Sequence, residues 1–595
     1  MTPDTPIPQN FSPSRFTRAG RWLRDSQPAQ IIICVFLGVI VAAITVGLHN
    51  LVMFLHAAAY GLTVPGEHLS GATVINHSRI IYMPALGGLA LGLLLYVFKR
   101  WKPRDIIDPI EANAVFGGRM SFTDSLRLLA ATLISNGAGG SIGMEAAYTQ
   151  MGGSITSALG AKLKLRREDM RIFVAAGAAA AISAAFNAPL AGAFYGYELV
   201  LGMYKISALA QVTLAALAGN LFLHAIHAGD PIFSLPQATG AVAAFDYAMF
   251  ACVGIASAFI GILTMQSVTG CEAAFKKLPG PEWLRPVLGG GLLTSLALLF
   301  PQVLGSGQGG IDQHLHNSWP LLALYGLLAA KIAGSAISIG SGFRGGLFSA
   351  ALFIGCLTGQ IAGLLAGQYF PDSAGQVENF MLVGIGSVAA SVIGAPVTMV
   401  LLVLEMTGNF PATGGVMAGV LVSSTITRYT FGYSFSTWRF HLRGLRILGA
   451  HDVGWVNEHT VRDLMFSGTR TLPAESTLGD LRQKIPAGSL KRIFLTGKNN
   501  AYEGVVDIAE AHSQPANDET LARPVLLLAK GRDFFLLPNQ NIRAALDVFA
   551  AAQQEELPVI ASAANPKIIG HASETHVLKR YAQALEKHEA EQQGL

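Results

Sequence analysis

Charged residues are scarce in this chain. Asp, Glu, Lys and Arg together supply 13% of 595 residues against 51% hydrophobic ones, a balance that water-soluble domains seldom show. The formal net charge of +4 is small, and its cations are dispersed between apolar stretches, so they form no basic face for nucleic acid. Cysteine is nearly absent too. Cys34, Cys252, Cys271 and Cys356 lie in or beside apolar segments without CxxC spacing, so neither a disulfide framework nor a zinc site is indicated and small packing residues are expected. No HExxH, Walker or nucleophile-elbow pattern occurs, and no catalytic set suggests an enzyme. His314 and His316 beside Trp319 read as an exposed loop pair without further ligands, so no metal site is expected.

What is present is apolar sequence in long runs, nearly all between about residues 31 and 435, whereas 440–595 reads as soluble. Arg15, Arg18, Arg21 and Arg24 precede the first run, Ile31 to Val46. A signal peptide does not fit: the basic stretch is too long, and apolar sequence resumes at Leu51 with no small-residue cleavage site behind it. A basic helix on the cytoplasmic surface leading into a first span is expected instead. Several apolar segments, among them 125–137, 171–183 and 395–406, are shorter than the roughly 20 residues a spanning helix needs. Gly, Pro and small polar residues interrupt them, and broken backbone at membrane depth is tolerated only where protein buries it or it lines a cavity. Basic clusters at Lys99, Arg100, Lys102 and Arg104, at Lys162, Lys164, Arg166 and Arg167, and at Arg428, Arg439, Arg443 and Arg446 place those loops and both termini in the cytoplasm.

An internal repeat organises the apolar region. Ala188-Pro189 is followed nine residues after the proline by Glu198, and Ala395-Pro396 at the same spacing by Glu405, about 207 residues later. Gly177 and Gly384 each precede the proline by twelve. Upstream of both copies lies a glycine-rich break, Gly137 to Glu145 and Gly340 to Phe348. Transporters built from two related halves hold their substrate where such breaks meet. The small residues Ala178 to Ala181 are expected simply to pack helices. Glu145 is different: a carboxylate in apolar surroundings is costly and marks function. Glu198, Glu405, Lys331 and Arg344 stay open between structural and functional roles. Helices that start within the membrane present free N–H groups and the positive end of the dipole, which can hold an anion weakly enough to release it.

Residues 125–203 and 331–437 resemble the CLC family of chloride channels and proton-coupled chloride transporters. The stretch Gly143-Met144-Glu145-Ala146-Ala147-Tyr148-Thr149-Gln150 is similar to the family's GxEGP gate motif and its following Gln. The resemblance implies that Glu145 is the gating glutamate, whose ionised side chain occupies an anion site and leaves when protonated, with Gly143, Met144 and Ala146 around the anion. Gly345 to Ala350 resembles GGxFxP and implies anion contacts at Gly346, Leu347 and Phe348.

Three departures stand out. The family's GSGIP serine has its counterpart at Asp105 or Ile106, neither with a hydroxyl. The pore tyrosine aligns with Phe435, leaving Tyr433 as a substitute hydroxyl. Leu199 stands where the family's transporters usually carry an internal proton glutamate; an aliphatic residue there is usual in its channels, although some antiporters lack the glutamate too.

The soluble region has its own repeat. Leu472-Pro473 precedes Gly504, and Leu537-Pro538 precedes Gly570, with apolar strands at Arg492–Thr496 and Leu557–Ile560. This resembles a tandem CBS pair. In nucleotide-binding pairs a Thr and an acidic ribose ligand follow the strand-ending glycine; here those places hold Asp507 and Glu510, then Ser573 and His576, so a structural, dimer-stabilising role is expected over adenine-nucleotide binding.

The expected fold is an all-α polytopic membrane domain of two inverted-topology halves with broken helices, plus a C-terminal α+β cytosolic tandem CBS domain. Boundaries are 1–30 for the basic segment, 31–440 for the membrane domain (halves about 31–230 and 240–440) and 441–458 for a linker. The CBS-like units are 459–515 and 531–585 around a connector at 516–530, with a tail at 586–595. The expected function is a voltage- or pH-gated chloride channel in the plasma membrane, or inner membrane of a bacterium. It would be a homodimer with one pore per subunit and no cofactor. A proton/chloride antiporter is the alternative. A CBS-linked cation carrier is more distant, since it expects acidic pore rings and a soluble region before the membrane domain.

Overall fold

A computed structural model describes residues 26–64, 66–72, 75–101, 106–226, 243–370, 376–442, 460–562 and 565–593, with side chains to residue 583. The N-terminal arginines, Lys102, Arg104, Asp105, Arg443 and Arg446 fall outside these, as does most of the 441–458 linker. The chain divides into two compact units, Met1–His451 and Asp452–Leu595.

The first unit is helical. Its first half comprises α1 (Gln27–Tyr60), α2 (His77–Trp101), α3 (Pro109–Val115), α4 (Phe122–Gly137), α5 (Glu145–Leu163), α6 (Arg167–Phe186), α7 (Pro189–Tyr195) and α8 (Ile206–Ala225). The second comprises α9 (Ala244–Lys277), α10 (Arg285–Leu299), α11 (Gln308–His316), α12 (Leu321–Ser341), α13 (Phe348–Tyr369), α14 (Val377–Ile393), α15 (Pro396–Thr407), α16 (Phe410–Thr430) and α17 (Phe435–Leu442). Among the described residues eight helices are long and apolar enough to cross a membrane, and α14 and α15 are shorter apolar helices. The segment 171–183 is not short as expected. It lies within the 20-residue α6, whose first turn, Arg167-Glu168-Asp169, adds a charged start to the apolar run.

The packing repeats with the sequence. α1 packs on α8 as α9 packs on α16, α6 on α8 as α14 on α16, and α5 on α6 as α13 on α14. The last pairing explains the small residues. A Cβ on Gly177 would meet the Gly152 carbonyl, and one on Gly384 the Gly355 carbonyl, so both helix pairs cross backbone against backbone. Each buried helix then ends alike. α6 stops at Asn187 in the left-handed region (φ 50°) and α14 at Gly394 (φ 82°); Ala-Pro follows, and the proline starts α7 or α15.

The second unit contains β1 (Thr471–Pro473), β2 (Arg492–Thr496) and β3 (Tyr502–Asp507) in one sheet, and β4 (Glu556–Ile560) with β5 (Ile568–Ser573) in another. β2 pairs antiparallel with β3, and β4 with β5. Gly504 faces Leu495 as Gly570 faces Val559, so the repeated glycines occupy matching rungs. Apolar cores form around Leu481, Leu495 and Val506, around Phe549, Leu557 and Val559, and around Phe494, Val505 and Ile560.

Candidate functional site

Two chain breaks build the site. The chain leaves α4 at Gly137 and re-enters helix at Glu145; it leaves α12 at Ser341 and re-enters at Phe348. The crossings meet in an antiparallel bridge: Gly143 N–H donates to the Gly346 carbonyl at 2.8 Å, and Gly346 N–H to the Gly143 carbonyl at 3.0 Å. Such a mutual exchange places the N-termini of α5 and α13 side by side. Their N-cap residues are Met144 and Leu347, and neither supplies a side-chain cap. Two sets of orphan N–H groups and two positive dipole ends therefore face one place without an internal acceptor.

Glu145 occupies that place. It is 4% exposed, its Oε1 accepts from the Ser349 hydroxyl, and its Oε2 has no hydrogen-bond partner among the described residues. Gly143 makes room, because a Cβ there would collide with Oε2. The backbone N–H groups of Glu145 and Ser349, in the first turns of the two helices, also lie within hydrogen-bonding reach of this carboxylate, so helix-start donors help to hold it. The Thr149 hydroxyl, one turn further along α5, donates back to the Glu145 carbonyl at 3.0 Å and toward that of Ala146 at 3.3 Å. Gln150 Nε2 ties α5 to the entrance of α3 through the Ile107 carbonyl (2.9 Å) and to Ser125 Oγ (3.0 Å).

The structure therefore brings together Gly143, Met144, Glu145, Ala146, Gly346, Leu347 and Phe348; the Phe186 and Phe348 rings lie 4.8 Å apart beside them. Asp105 lies outside the described residues. Ile106 is described, half-buried and apolar; two residues on, Asp108 caps α3 by accepting from Glu111 N–H at 2.8 Å. The Tyr433 hydroxyl lies 3.2 Å from His441 Nδ1, and its ring stacks on that imidazole. Phe435 packs on the core of the second half with the Arg439 guanidinium over its ring.

The residues left open are now placed. Glu405 accepts from the N–H groups of Leu190 and Ala191 at 2.7 and 2.8 Å, capping α7. Glu198 accepts from those of Val397 and Thr398 at 3.1 and 2.8 Å and from the Thr398 hydroxyl at 2.6 Å, capping α15. Both carboxylates are thus structural caps. Lys331 is fully buried, donating to the Val303 and Gly305 carbonyls, and the Arg344 N–H donates to Ser135 Oγ. The His314–His316 reading needs correction: both lie on α11, and His314 is buried against Trp319 and bonded to Gln360 because its ring faces the core. Among the described residues no group of three or more His, Cys, Asp or Glu could hold a metal.

In the second unit Asp507, at the threonine place, caps the helix Ile508–Ser513, and Glu510, at the ribose-ligand place, pairs with Lys530 at 2.7 Å, so both candidate nucleotide contacts already have partners. Sequence reasoning gave no role to Ser349, which lies inside the motif Gly345 to Ala350 at a position the pattern leaves open, or to Tyr195, which ends α7 against Phe348.

Residues 87–428 match the model of the family described as voltage gated chloride channel. The chain belongs to that family. A voltage-gated ClC-type chloride channel, ClcB, of Escherichia coli O157:H7 is 30% identical over 370 residues, 61% of this chain and 87% of that protein; the ClcB of Shigella flexneri matches equally. Among solved structures, a slow cyanobacterial Cl−/H+ antiporter superposes with a TM-score of 0.62 at 22% identity, covering 70% of this chain and 97% of the other. A eukaryotic CLC transporter gives 0.58 at 16% identity over 94% and 98%. At such identities the structures establish the fold. Family membership makes this a multi-pass membrane protein that carries anions, and not an enzyme.

Proposed function

We propose that this chain conducts small inorganic anions, chloride foremost, passively through one pore per subunit of a homodimer, gated by Glu145. The observation that carries the reading is the Glu145 carboxylate at the joint N-termini of α5 and α13, where one oxygen is held by Ser349 and the other has no hydrogen-bond partner among the described residues. A carboxylate there is a tethered anion in an anion site. Neutralised by a proton, it loses its attraction to the two dipole ends, and a free anion takes the place.

Uncoupled conduction is favoured over antiport by Leu199. It is an aliphatic side chain that carries no proton, buried among Ile110, Ala395 and Phe440, and neighbouring Glu198 is committed to capping α15. Proton/anion antiport is the second reading, kept by the fold shared with a Cl−/H+ antiporter. Basic loops support cytoplasmic termini, in the plasma membrane or a bacterial inner membrane. The C-terminal unit is read as a CBS pair that stabilises the dimer without nucleotide, supported by the partners Asp507 and Glu510 already have. Recording chloride and proton flux together from liposomes tests the reading: chloride efflux without stoichiometric proton movement supports conduction, and a fixed proton-to-chloride ratio replaces it with antiport.

A further inference from the structure

The central site of this chain lacks the side-chain hydroxyls that its sequence pattern would otherwise bring. Ile106 has none, Phe435 has none, Tyr433 is bonded to His441, and Ser434 is within hydrogen-bond distance of Thr437. The Ser349 hydroxyl is given to Glu145. Backbone N–H groups alone compensate a dehydrated anion incompletely.

Tyr195 stands at the remaining approach. It closes α7 where the helix passes into the π-helical turn Gly196–Leu201, and such turns re-aim side chains, often at functional sites. Its ring packs against the apolar core that both halves share, against the smaller core of the first half and against the cluster around Leu199, which places it at the junction of the two repeats. It nevertheless stays only half-buried in surface terms, and its ring centroid lies 6.3 Å from that of Phe348, the first residue of α13. The Tyr195 hydroxyl interacts with the Thr149 side chain, and the Glu145 and Asp108 carboxylates lie within electrostatic reach. The proton of the Thr149 hydroxyl is already donated to backbone carbonyls on α5. Thr149 can then only accept, and Tyr195 is the donor. While Glu145 fills the site, this O–H rests on a neutral oxygen. An anion is the stronger acceptor, since charge-assisted hydrogen bonds are roughly twice as strong as neutral ones.

We propose that the Tyr195 hydroxyl is the side-chain donor that fixes chloride at the central site, supplying from α7 what Ile106 and Phe435 cannot. The proposal rests on the anion-conducting reading above. Glu198 gains a further structural meaning from it, because its cap on α15 holds the π-helical turn that aims Tyr195.

The test is chloride binding by titration calorimetry on the purified full-length protein, with liposome efflux alongside. Tyr195→Phe keeps the ring and should weaken chloride binding about tenfold or more, the scale of a lost hydrogen bond to a charge, with thiocyanate weakened less. Thr149→Val removes the competing acceptor and should tighten chloride binding. Ile106→Ser added to Tyr195→Phe restores a hydroxyl and should recover affinity, which a misfolded variant could not do. Unchanged chloride affinity in Tyr195→Phe, or equal weakening by Thr149→Val, overturns the proposal. A wild-type protein that moves no anion overturns the parent reading instead; wild-type flux with an indifferent Tyr195→Phe overturns this inference alone.

Discussion

Glu198 and Glu405 cap each other's helices: Glu405, carried on α15, accepts from the first N–H groups of α7, and Glu198, carried on the continuation of α7, accepts from those of α15. Four helices in this domain begin at breaks that the repeat relates. Two are closed by these glutamates, and two are left uncapped and meet at Glu145. The proposed anion site is thus set by which helix ends the fold leaves without a cap.

Removing either cap strands helix-start N–H groups, one of each pair part-buried, so Glu198→Ala and Glu405→Ala should each cost about 1–3 kcal/mol of stability, read as a lowered unfolding midpoint in detergent. The double variant should lose less than the sum if the pair acts as one lock. The acid response should survive in both single variants; its loss in Glu198→Ala would assign that residue to proton movement.

Gly143→Ala puts a methyl where the Glu145 Oε2 sits, and the flexible side-chain end is what must yield. The carboxylate should be expelled, raising chloride efflux at neutral pH. Ser349→Ala should do the same more mildly, by removing the bond to Oε1. Efflux equal to wild type in both would mean that Glu145 does not occlude the site. Gly177→Ala should differ, since its methyl meets backbone; overpacking of this kind costs about 1–3 kcal/mol and should appear as instability.

Much of this arrangement could be read from residue order. The Ala-Pro-Glu repeat and the glycine breaks are local patterns with one period, and they pointed to the repeated packing and to the two breaks that meet beside Glu145. The partners of those residues were not legible, because each lies some 200 positions away: Glu198 finds Thr398, Glu405 finds Ala191, and Glu145 finds Ser349. A serine in an apolar helix carries no sign of what it faces. The burial of His314 was hidden likewise, since it depends on Trp319 and Gln360 folding over it.

Selectivity follows from the donor count. With no hydroxyl at Ile106 or Phe435, the proposed Tyr195 donor replaces only one of the two hydroxyls of the family pattern, so the site compensates dehydration less well and easily dehydrated anions should gain ground. Nitrate, bromide or thiocyanate should permeate at least as well as chloride in anion-substitution efflux assays. A strong preference for chloride over nitrate would contradict this account of the site.

Each chain holds both breaks, so each subunit of a dimer should carry its own pathway. Mixed dimers with one subunit inactivated should keep about half the flux of the intact pair. Complete loss would indicate a single shared pore.

The most direct measurement is chloride efflux from liposomes as a function of pH for the wild type and for Glu145→Gln, a neutral side chain of nearly the same shape. The wild type should be slow at neutral pH and rise as acid protonates Glu145, while Glu145→Gln should conduct at every pH with a flat profile. A variant whose efflux still climbs with acid as steeply as the wild type, or that conducts nothing at any pH, would contradict the assignment of Glu145 as the tethered anion that gates this site.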